Sequence, residues 1–146
     1  MVVKNPVKGR AFLRALQTTM TKKKIKILIV EDEAIVAEQL AVILERNGYK
    51  ISGRATSGKK AIQIAKRNRP DVMLVDVRIE GDLNGIETAI VIKGLFEEAI
   101  PTVFLTAFPE KQFPVLAALE PYIYLNKPIQ DEDLISAVAG VLARKA

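Results

Sequence analysis

Four apolar runs in the sequence end beside residues that could handle a phosphoryl group. Carboxylates follow the first run and end the second, a threonine ends the third, and a lysine follows the fourth. In chain order these residues are Glu31 and Asp32, Asp76, Thr106, and Lys127. Carboxylates bind divalent cations and act as nucleophiles, whereas hydroxyl and ammonium groups donate hydrogen bonds to phosphoryl oxygens. If the four run ends meet, the sequence predicts a phosphoryl acceptor at Asp76 with a divalent cation beside it.

The apolar runs themselves indicate strands of a parallel sheet. Residues 25–30, 72–75, 103–105 and 122–125 show no alternation of apolar and polar positions, which is typical of strands buried on both faces. In a parallel sheet covered by helices, the carboxyl ends of the strands share one edge, where ligands bind. We therefore expect the acids, the threonine and the lysine to converge at that edge.

From residue 25 onward, strand and helix patterns alternate five times, which favours repeated βαβ units and an α/β fold. A weaker strand is expected near residues 49–55. Five helices are predicted. The first follows Glu33 and stops at Gly48, and the last starts near Asp131. The three between them cover about residues 59–68, 85–98 and 113–121. The fourth should be short, because Pro114 fits only its first turn and Pro121 ends it.

The composition restricts the chemistry. The chain has 146 residues with no histidine and no cysteine, so it cannot build a Ser-His-Asp or Cys-His catalytic set, a thiolate zinc site or a disulfide. It also cannot supply a phosphohistidine, so any such donor must be another protein. A chain of this length is expected to form one domain.

The net charge of +5 is concentrated at the start of the chain. Residues 1–24 hold seven basic residues and no acidic one, whereas the remainder carries 15 basic and 17 acidic residues. We expect residues 1–24 to be a disordered extension and residues 25–146 to form the domain, which itself binds no nucleic acid. Two alternatives stay open: a tail that binds nucleic acid, and an apolar stripe for a membrane surface or a partner, formed by Phe12, Leu13, Leu16 and Met20.

Nothing in the sequence indicates a membrane protein. No apolar stretch approaches the roughly 20 residues needed to cross a bilayer, and the charged start lacks the apolar region of a signal peptide. We therefore expect a cytoplasmic protein. Because the sequence ends with the last predicted helix, no output domain is expected.

Four motifs resemble the receiver domains of two-component response regulators. They are Ile-Leu-Ile-Val-Glu-Asp-Glu at 27–33, Val75-Asp76 with Asn-Gly-Ile-Glu at 84–87, Phe-Leu-Thr-Ala at 104–107, and Tyr-Leu-Asn-Lys-Pro at 124–128. The resemblance extends over residues 24 to about 144, and the motifs follow the family's order and spacing. It implies a doubly wound, flavodoxin-like fold with five parallel strands in the order 2-1-3-4-5, in a single-domain form.

The resemblance also implies how the acceptor and the cation are arranged. Asp76 would accept the phosphoryl group from a phosphohistidine of a sensor histidine kinase or a phosphotransfer protein. Mg²⁺, or Mn²⁺ in its place, would be held by Asp32, Asp76 and the backbone carbonyl of Arg78. Glu31, which replaces the family's commoner aspartate, would act directly or through a water.

On the same resemblance, Lys127 and Ala107 would bind the phosphoryl oxygens, and the peptide bond before Pro128 would be cis. Thr106 and Tyr124 would form a switch pair, in which the threonine hydroxyl bonds the phosphoryl group and the tyrosine ring fills the vacated space. The surface of the fourth helix, fifth strand and fifth helix would change as a result. The output partner stays undefined, and the short fourth helix leaves a weak or phosphorylation-dependent dimer open.

Two residues that border the site are expected to set the lifetime of the phosphorylated state. In receivers the positions two after the acceptor and two after the threonine flank the approach of water, and here they are Arg78 and Phe108. Neither side chain accepts a proton. The sequence therefore predicts a signalling domain with slow intrinsic autophosphatase activity rather than an enzyme.

A rival interpretation is a nucleotide-binding loop. Residues 53–60, Gly-Arg-Ala-Thr-Ser-Gly-Lys-Lys, match the phosphate-binding pattern of a P-loop from Gly53 through Lys59. Lys60 stands where that pattern requires a metal-binding serine or threonine, and the preceding strand is weak. The simpler interpretation is a turn into the second helix.

Overall fold

One five-stranded parallel sheet organises the computed structural model, which describes residues 23–107 and 113–145. The strands are β1 (Lys26–Val30), β2 (Lys50–Ala55), β3 (Val72–Asp76), β4 (Thr102–Thr106) and β5 (Tyr122–Asn126). They lie in the order β2-β1-β3-β4-β5, and every neighbouring pair is parallel. The predicted fold class and strand order are confirmed.

The first four helices connect successive strands and the fifth follows β5, as the alternating pattern predicts. They are α1 (Ala34–Arg46), α2 (Gly58–Arg67), α3 (Gly85–Phe96), α4 (Pro114–Leu119) and α5 (Asp131–Lys145). The helix α4 is short, as expected, and it takes the tighter 3₁₀ form with Pro114 at its start. Six residues between two prolines leave little room for a regular α-helical ladder, and short segments of this kind adopt 3₁₀ geometry readily.

Local sequence explains where several helices begin and end. Ser57 caps α2 by accepting a hydrogen bond from the Lys60 amide at 3.3 Å. Asn84 and Glu87 form a reciprocal capping box at the start of α3, which satisfies two backbone donors that a helix start otherwise leaves unpaired. The residue before α1 is Glu33, whose side chain makes no capping bond.

Alternate residues of the central strands bury their side chains in two apolar layers. On one face, Ile27, Ile29 and Leu74 pack against α1 and α5. On the other, Met73 and Phe104 pack against α2, α3 and α4. Burial on both faces explains why these strands read as continuous apolar runs.

Two parts of the sequence prediction fall outside the described residues. Of the extension at residues 1–24, the structure describes only Lys23 and Lys24. Phe108 also lies outside the described residues. The expected disorder of the extension and the expected role of Phe108 stay predictions.

Candidate functional site

Asp76 and Lys127 meet at the carboxyl edge of the sheet. Asp76 is the last residue of β3 and is only 6% exposed, whereas Lys127 directly follows β5. The Lys127 ammonium donates a hydrogen bond to Asp76 Oδ2 at 2.6 Å, and the Arg78 amide donates to Asp76 Oδ1 at 3.0 Å. Both oxygens of the predicted acceptor are therefore held by donors.

Lys127 also compensates a second buried acid. Its Nζ lies 3.7 Å from Glu31 Oε1. Burial would lower the pKa of Lys127, but the hydrogen bond from Lys127 to Asp76 and the charges of Asp76 and Glu31 outweigh it and raise that pKa. The raised pKa keeps Lys127 in its charged ammonium form at the site.

Glu31 is a buried carboxylate whose two oxygens differ in their hydrogen bonding. It is 2% exposed, and its Oε2 accepts a hydrogen bond from the Glu33 amide at 3.2 Å. Its Oε1 is buried and accepts no hydrogen bond from any residue that the structure describes. Burial raises the pKa of Glu31 from 4.5 to about 7, because the charged form loses its hydration. An ionised Glu31 therefore favours a positive charge nearby.

The acids after β1 fit a hard divalent cation. One carboxylate oxygen from each of Glu31, Asp32 and Glu33 lies within 4.8 Å of the others. All the donors are oxygens, which Mg²⁺ and Mn²⁺ accept. A bound cation would give Glu31 Oε1 a closer partner than the Lys127 ammonium at 3.7 Å. Glu33 was missed as a candidate by sequence reasoning, although it directly continues the acidic run.

Gly85 brings the start of α3 against the acceptor backbone. Its amide donates to the Val77 carbonyl at 2.8 Å. A Cβ at this position would lie 2.1 Å from the Asp76 carbonyl oxygen and 2.7 Å from a methyl group of Val75. Only glycine fits here without moving the chain that carries Asp76.

The ends of β4 and β5 are joined next to the acceptor. Thr106 is buried at the end of β4, and its carbonyl accepts a hydrogen bond from the Lys127 amide at 2.9 Å. Ala107, the next residue, is exposed. The peptide bond before Pro128 is cis, as predicted, and a second cis bond, which sequence reasoning did not anticipate, precedes Pro121.

Tyr124 connects the site region to α4. It is half-buried in β5 beside Phe104 of β4, and it packs against the apolar layer of α2, α3 and α4. Its ring centroid lies 6.4 Å from that of Phe113, the residue before α4. A movement of this ring would reach α4 directly.

The segment predicted as an alternative nucleotide site forms regular structure. Gly53 lies within β2, in register with Leu28 of β1, and Gly58 begins α2 against Thr88. The Lys60 ammonium donates to Thr56 Oγ1 at 3.2 Å. Residues 53–60 are therefore a strand and a capped helix start, as the simpler interpretation holds, and form no loop around a phosphate.

The comparisons with known proteins identify the family. A family model described as a response regulator receiver domain matches residues 27–139. The chain belongs to the response regulator receiver family. The receiver is 34% identical over 120 residues to the transcriptional regulatory protein PdtaR of Mycobacterium tuberculosis. This match covers 82% of the receiver chain and 57% of PdtaR. It is 31% identical over 120 residues to protein PilH of Pseudomonas aeruginosa, with 81% and 98% covered.

A solved structure agrees with this membership. The receiver superposes on the signal receiver domain of a modulated diguanylate cyclase from Desulfovibrio desulfuricans G20 with a TM-score of 0.74. The two are 31% identical, and the match covers 84% of this chain and 97% of that one. The receiver thus spans nearly all of PilH but little more than half of the mycobacterial relative.

Within residues 23–107 and 113–145, no helix has the length and hydrophobicity that a bilayer crossing requires.

Proposed function

We propose that this receiver takes a phosphoryl group onto Asp76 from a phosphohistidine of a sensor histidine kinase or a phosphotransfer protein. The observation that carries the proposal is the buried Asp76 carboxylate at a strand end, hydrogen-bonded to the Lys127 ammonium at 2.6 Å. A carboxylate oxygen attacks phosphorus while the N–P bond to the donor imidazole breaks. The donor imidazole, protonated on its other ring nitrogen before the transfer, leaves as a neutral histidine, and an acyl phosphate remains on Asp76.

The residues around Asp76 suit the charge that arrives. The Lys127 ammonium is held between Asp76 and Glu31, so it can turn to a phosphoryl oxygen with little movement. Thr106 ends the neighbouring strand β4, and Ala107 directly follows it. We expect the Thr106 hydroxyl and the Ala107 backbone amide to donate hydrogen bonds to the incoming phosphoryl oxygens. Positioning and charge stabilisation supply most of the catalysis in phosphoryl transfer.

A divalent cation completes the proposed site. Asp32, Asp76 and the Arg78 carbonyl would hold Mg²⁺ or Mn²⁺, with Glu31 in contact directly or through a water. The cation would offset the negative charge that accumulates as three phosphoryl oxygens approach a group of carboxylates. The cluster of Glu31, Asp32 and Glu33 and the Glu31 oxygen that accepts no hydrogen bond from a described residue support a cation at this edge. The roles of Asp76 and the Arg78 carbonyl as ligands rest on the family resemblance.

The proposed output is a change in the surface of α4, β5 and α5. A phosphoryl group on Asp76 draws the Thr106 hydroxyl toward it, and the Tyr124 ring moves into the vacated space. The contact between Tyr124 and Phe113 passes this movement to α4. The proposal also includes a sensor kinase as the donor, an output partner and a cytoplasmic location. The similarity to a transcriptional regulatory protein supports a signalling role.

Acetyl phosphate offers a direct test, because it is a small phosphoryl donor that needs no kinase. Intact-mass spectrometry should detect one added phosphoryl group when Mg²⁺ is present and none when it is chelated. Asp76→Asn should abolish the addition, whereas Asp82→Asn, which changes an exposed acid in the loop after the same strand, should not. Equal incorporation in Asp76→Asn and the wild-type protein would contradict the assignment.

A further inference from the structure

A group of lysines lies at the amino edge of the sheet, on the side opposite Asp76. Lys26 and Lys50 are the first residues of β1 and β2, and all five strands run the same way from this edge. An open cleft of about 770 Å³ lies here. It is lined by Lys23, Lys24, Ile25, Lys26, Lys50, Asn68 and Asp71.

The arrangement of these lysines opposes the stability of the sheet. Lys26 and Lys50 are direct partners in the register between β1 and β2, and like charges placed opposite each other destabilise a sheet. The Lys26 ammonium donates to the neutral amide oxygen of Asn68 at 2.6 Å. Asp71, the one acid lining the cleft, accepts from the Lys26 backbone amide at 2.8 Å. Among the described residues, none of the four cleft lysines forms an ion pair.

Helix dipoles do not explain why lysines cluster in this cleft. Basic side chains in the last turn of a helix are stabilised by its negative end, and this accounts for several other cations at the same edge. Those cations are Arg46, Lys66, Arg67, Arg144 and Lys145. The cleft lysines instead precede or begin strands, so their clustering needs a different reason.

The charge distribution of the whole receiver points toward a polyanion. The acceptor edge holds Glu31, Asp32, Glu33 and Asp76, and the first turn of α5 adds three more acids. A polyanion would be repelled from that edge and attracted to the opposite one. The 22 residues that precede Lys23 in the sequence contain five more basic residues and no acid, and Lys23 itself lines the cleft.

We propose that the amino edge of the receiver binds the phosphate backbone of a nucleic acid. A membrane surface is less favoured, because insertion into lipid needs exposed apolar side chains and the cleft offers only the half-buried Ile25. The large exposed apolar residues of the described part lie elsewhere, at Ile35, Ile90, Val91, Leu95 and Val115. The proposal departs from the sequence expectation that the folded domain binds no nucleic acid, and it is independent of phosphoryl transfer to Asp76.

The test is binding of the full chain to a fluorescein-labelled DNA duplex of roughly 20 base pairs, followed by anisotropy between about 50 and 200 mM KCl. Lys24→Gln with Lys50→Gln removes two exposed cleft charges whose side chains make no hydrogen bond to the described part of the chain. We expect this variant to bind about tenfold more weakly at the lower salt concentration. The slope of log affinity against log salt should fall by about two, since each phosphate contact contributes close to one.

The matched control is Lys59→Gln with Lys60→Gln, which removes the same charge at the acceptor edge and should leave duplex affinity almost unchanged. Equal losses in the two double variants would overturn the proposal, because net charge alone would then explain binding. It would also fail if the duplex did not bind, or if only vesicles containing phosphatidylglycerol did.

A further variant that lacks residues 1–22 separates the folded edge from the segment before it. It should bind more weakly but retain sensitivity to the two cleft substitutions. A complete loss of binding, with no effect of the cleft substitutions in the full chain, would assign the binding to the segment alone and overturn the proposal. Phosphorylation by acetyl phosphate should be normal in the cleft variant, so a failure here is distinct from a failure of the acceptor assignment.

Discussion

The ammonium of Lys127 lies 2.6 Å from Asp76 Oδ2, although the two residues are 51 positions apart in the sequence. The same ammonium lies 3.7 Å from Glu31 Oε1. One cation thus offsets two buried carboxylates that would otherwise repel each other. Lys127 therefore stabilises the site before any phosphoryl group arrives.

Replacing this lysine should lower stability in a way that a cation can reverse. When a chelator removes divalent cations, we expect Lys127→Ala to reduce the free energy of unfolding by roughly 1–2 kcal/mol. This value allows for solvent screening, because Lys127 is partly exposed. Added Mg²⁺ should recover much of the loss. Urea unfolding with and without Mg²⁺ measures both effects. Lys59→Ala is the control for an exposed lysine, and equal losses in the two variants would refute the compensating role.

Glu31→Gln should act in the opposite direction, because it removes a buried charge and keeps the shape of the side chain. In chelator we expect the variant to be more stable than the wild-type protein by roughly 1–3 kcal/mol at pH 8. Mg²⁺ should stabilise the variant less than the wild-type protein. Glu45→Gln, an exposed acid on α1, should change neither quantity.

The advantage of Glu31→Gln should depend on pH. The pKa of Glu31 is raised from 4.5 to about 7, so the folded protein binds this proton more tightly than the unfolded chain does. The wild-type protein therefore loses stability relative to the variant as pH rises from about 4.5 to about 7. Below that window the two proteins should unfold alike, and above it the difference should be constant. A constant difference from pH 4 to pH 8 would contradict this cause.

Replacing either of two glycines of α3 by alanine should change stability, but in opposite directions. A Cβ on Gly85 would lie 2.1 Å from the Asp76 carbonyl oxygen, whereas one on Gly94 would meet no atom within 4 Å. Gly85→Ala should lower the free energy of unfolding by roughly 2 kcal/mol or more and reduce phosphorylation of Asp76. Gly94→Ala should raise stability by about 0.5–1 kcal/mol, as alanine does in a helix interior. Thermal unfolding and the acetyl phosphate assay together check both.

Thr106 and Tyr124 test the proposed switch. Thr106→Ala should still accept a phosphoryl group, because Asp76 and Lys127 are intact. It should lose the phosphorylation-dependent change in hydrogen exchange of β5 and α4, since no hydroxyl is drawn to the site. Thr106→Ser keeps a hydroxyl and should retain most of the change. If the alanine variant responded fully, the switch would not depend on Thr106.

The sequence predicted the fold well because burial on both faces leaves continuous apolar runs, and because the residues at their ends were chemically distinct. Asp76, Thr106 and Lys127 were placed at one edge by topology alone. The 3₁₀ geometry of α4 was not predicted, because a proline-bounded segment specifies a short helix without specifying its hydrogen-bond pattern. Nor could sequence spacing reveal that Gly85 touches the Asp76 backbone or that Lys127 serves two acids, since both depend on three-dimensional distances.

The lifetime of the acyl phosphate should depend on Arg78 and Phe108, which the family resemblance predicts to flank the approach of water. Arg78 is exposed, and its backbone amide is anchored to Asp76 Oδ1 at 3.0 Å. Hydrolysis needs a water aligned opposite the aspartyl oxygen, and neither a guanidinium nor the phenyl ring of Phe108 can accept its proton. We therefore expect a slow intrinsic loss of the phosphoryl group.

Arg78→Asn combined with Phe108→Glu should introduce groups that orient and polarise this water. A barrier lowered by about 1.4 kcal/mol shortens the lifetime tenfold, and we expect an effect of that size or larger. The decay of phosphorylated protein after removal of acetyl phosphate, followed by intact mass, measures it. Arg67→Asn at the opposite edge is the control for charge. An unchanged decay rate in the double variant, with phosphorylation itself intact, would mean that Arg78 and Phe108 do not border the path of the attacking water.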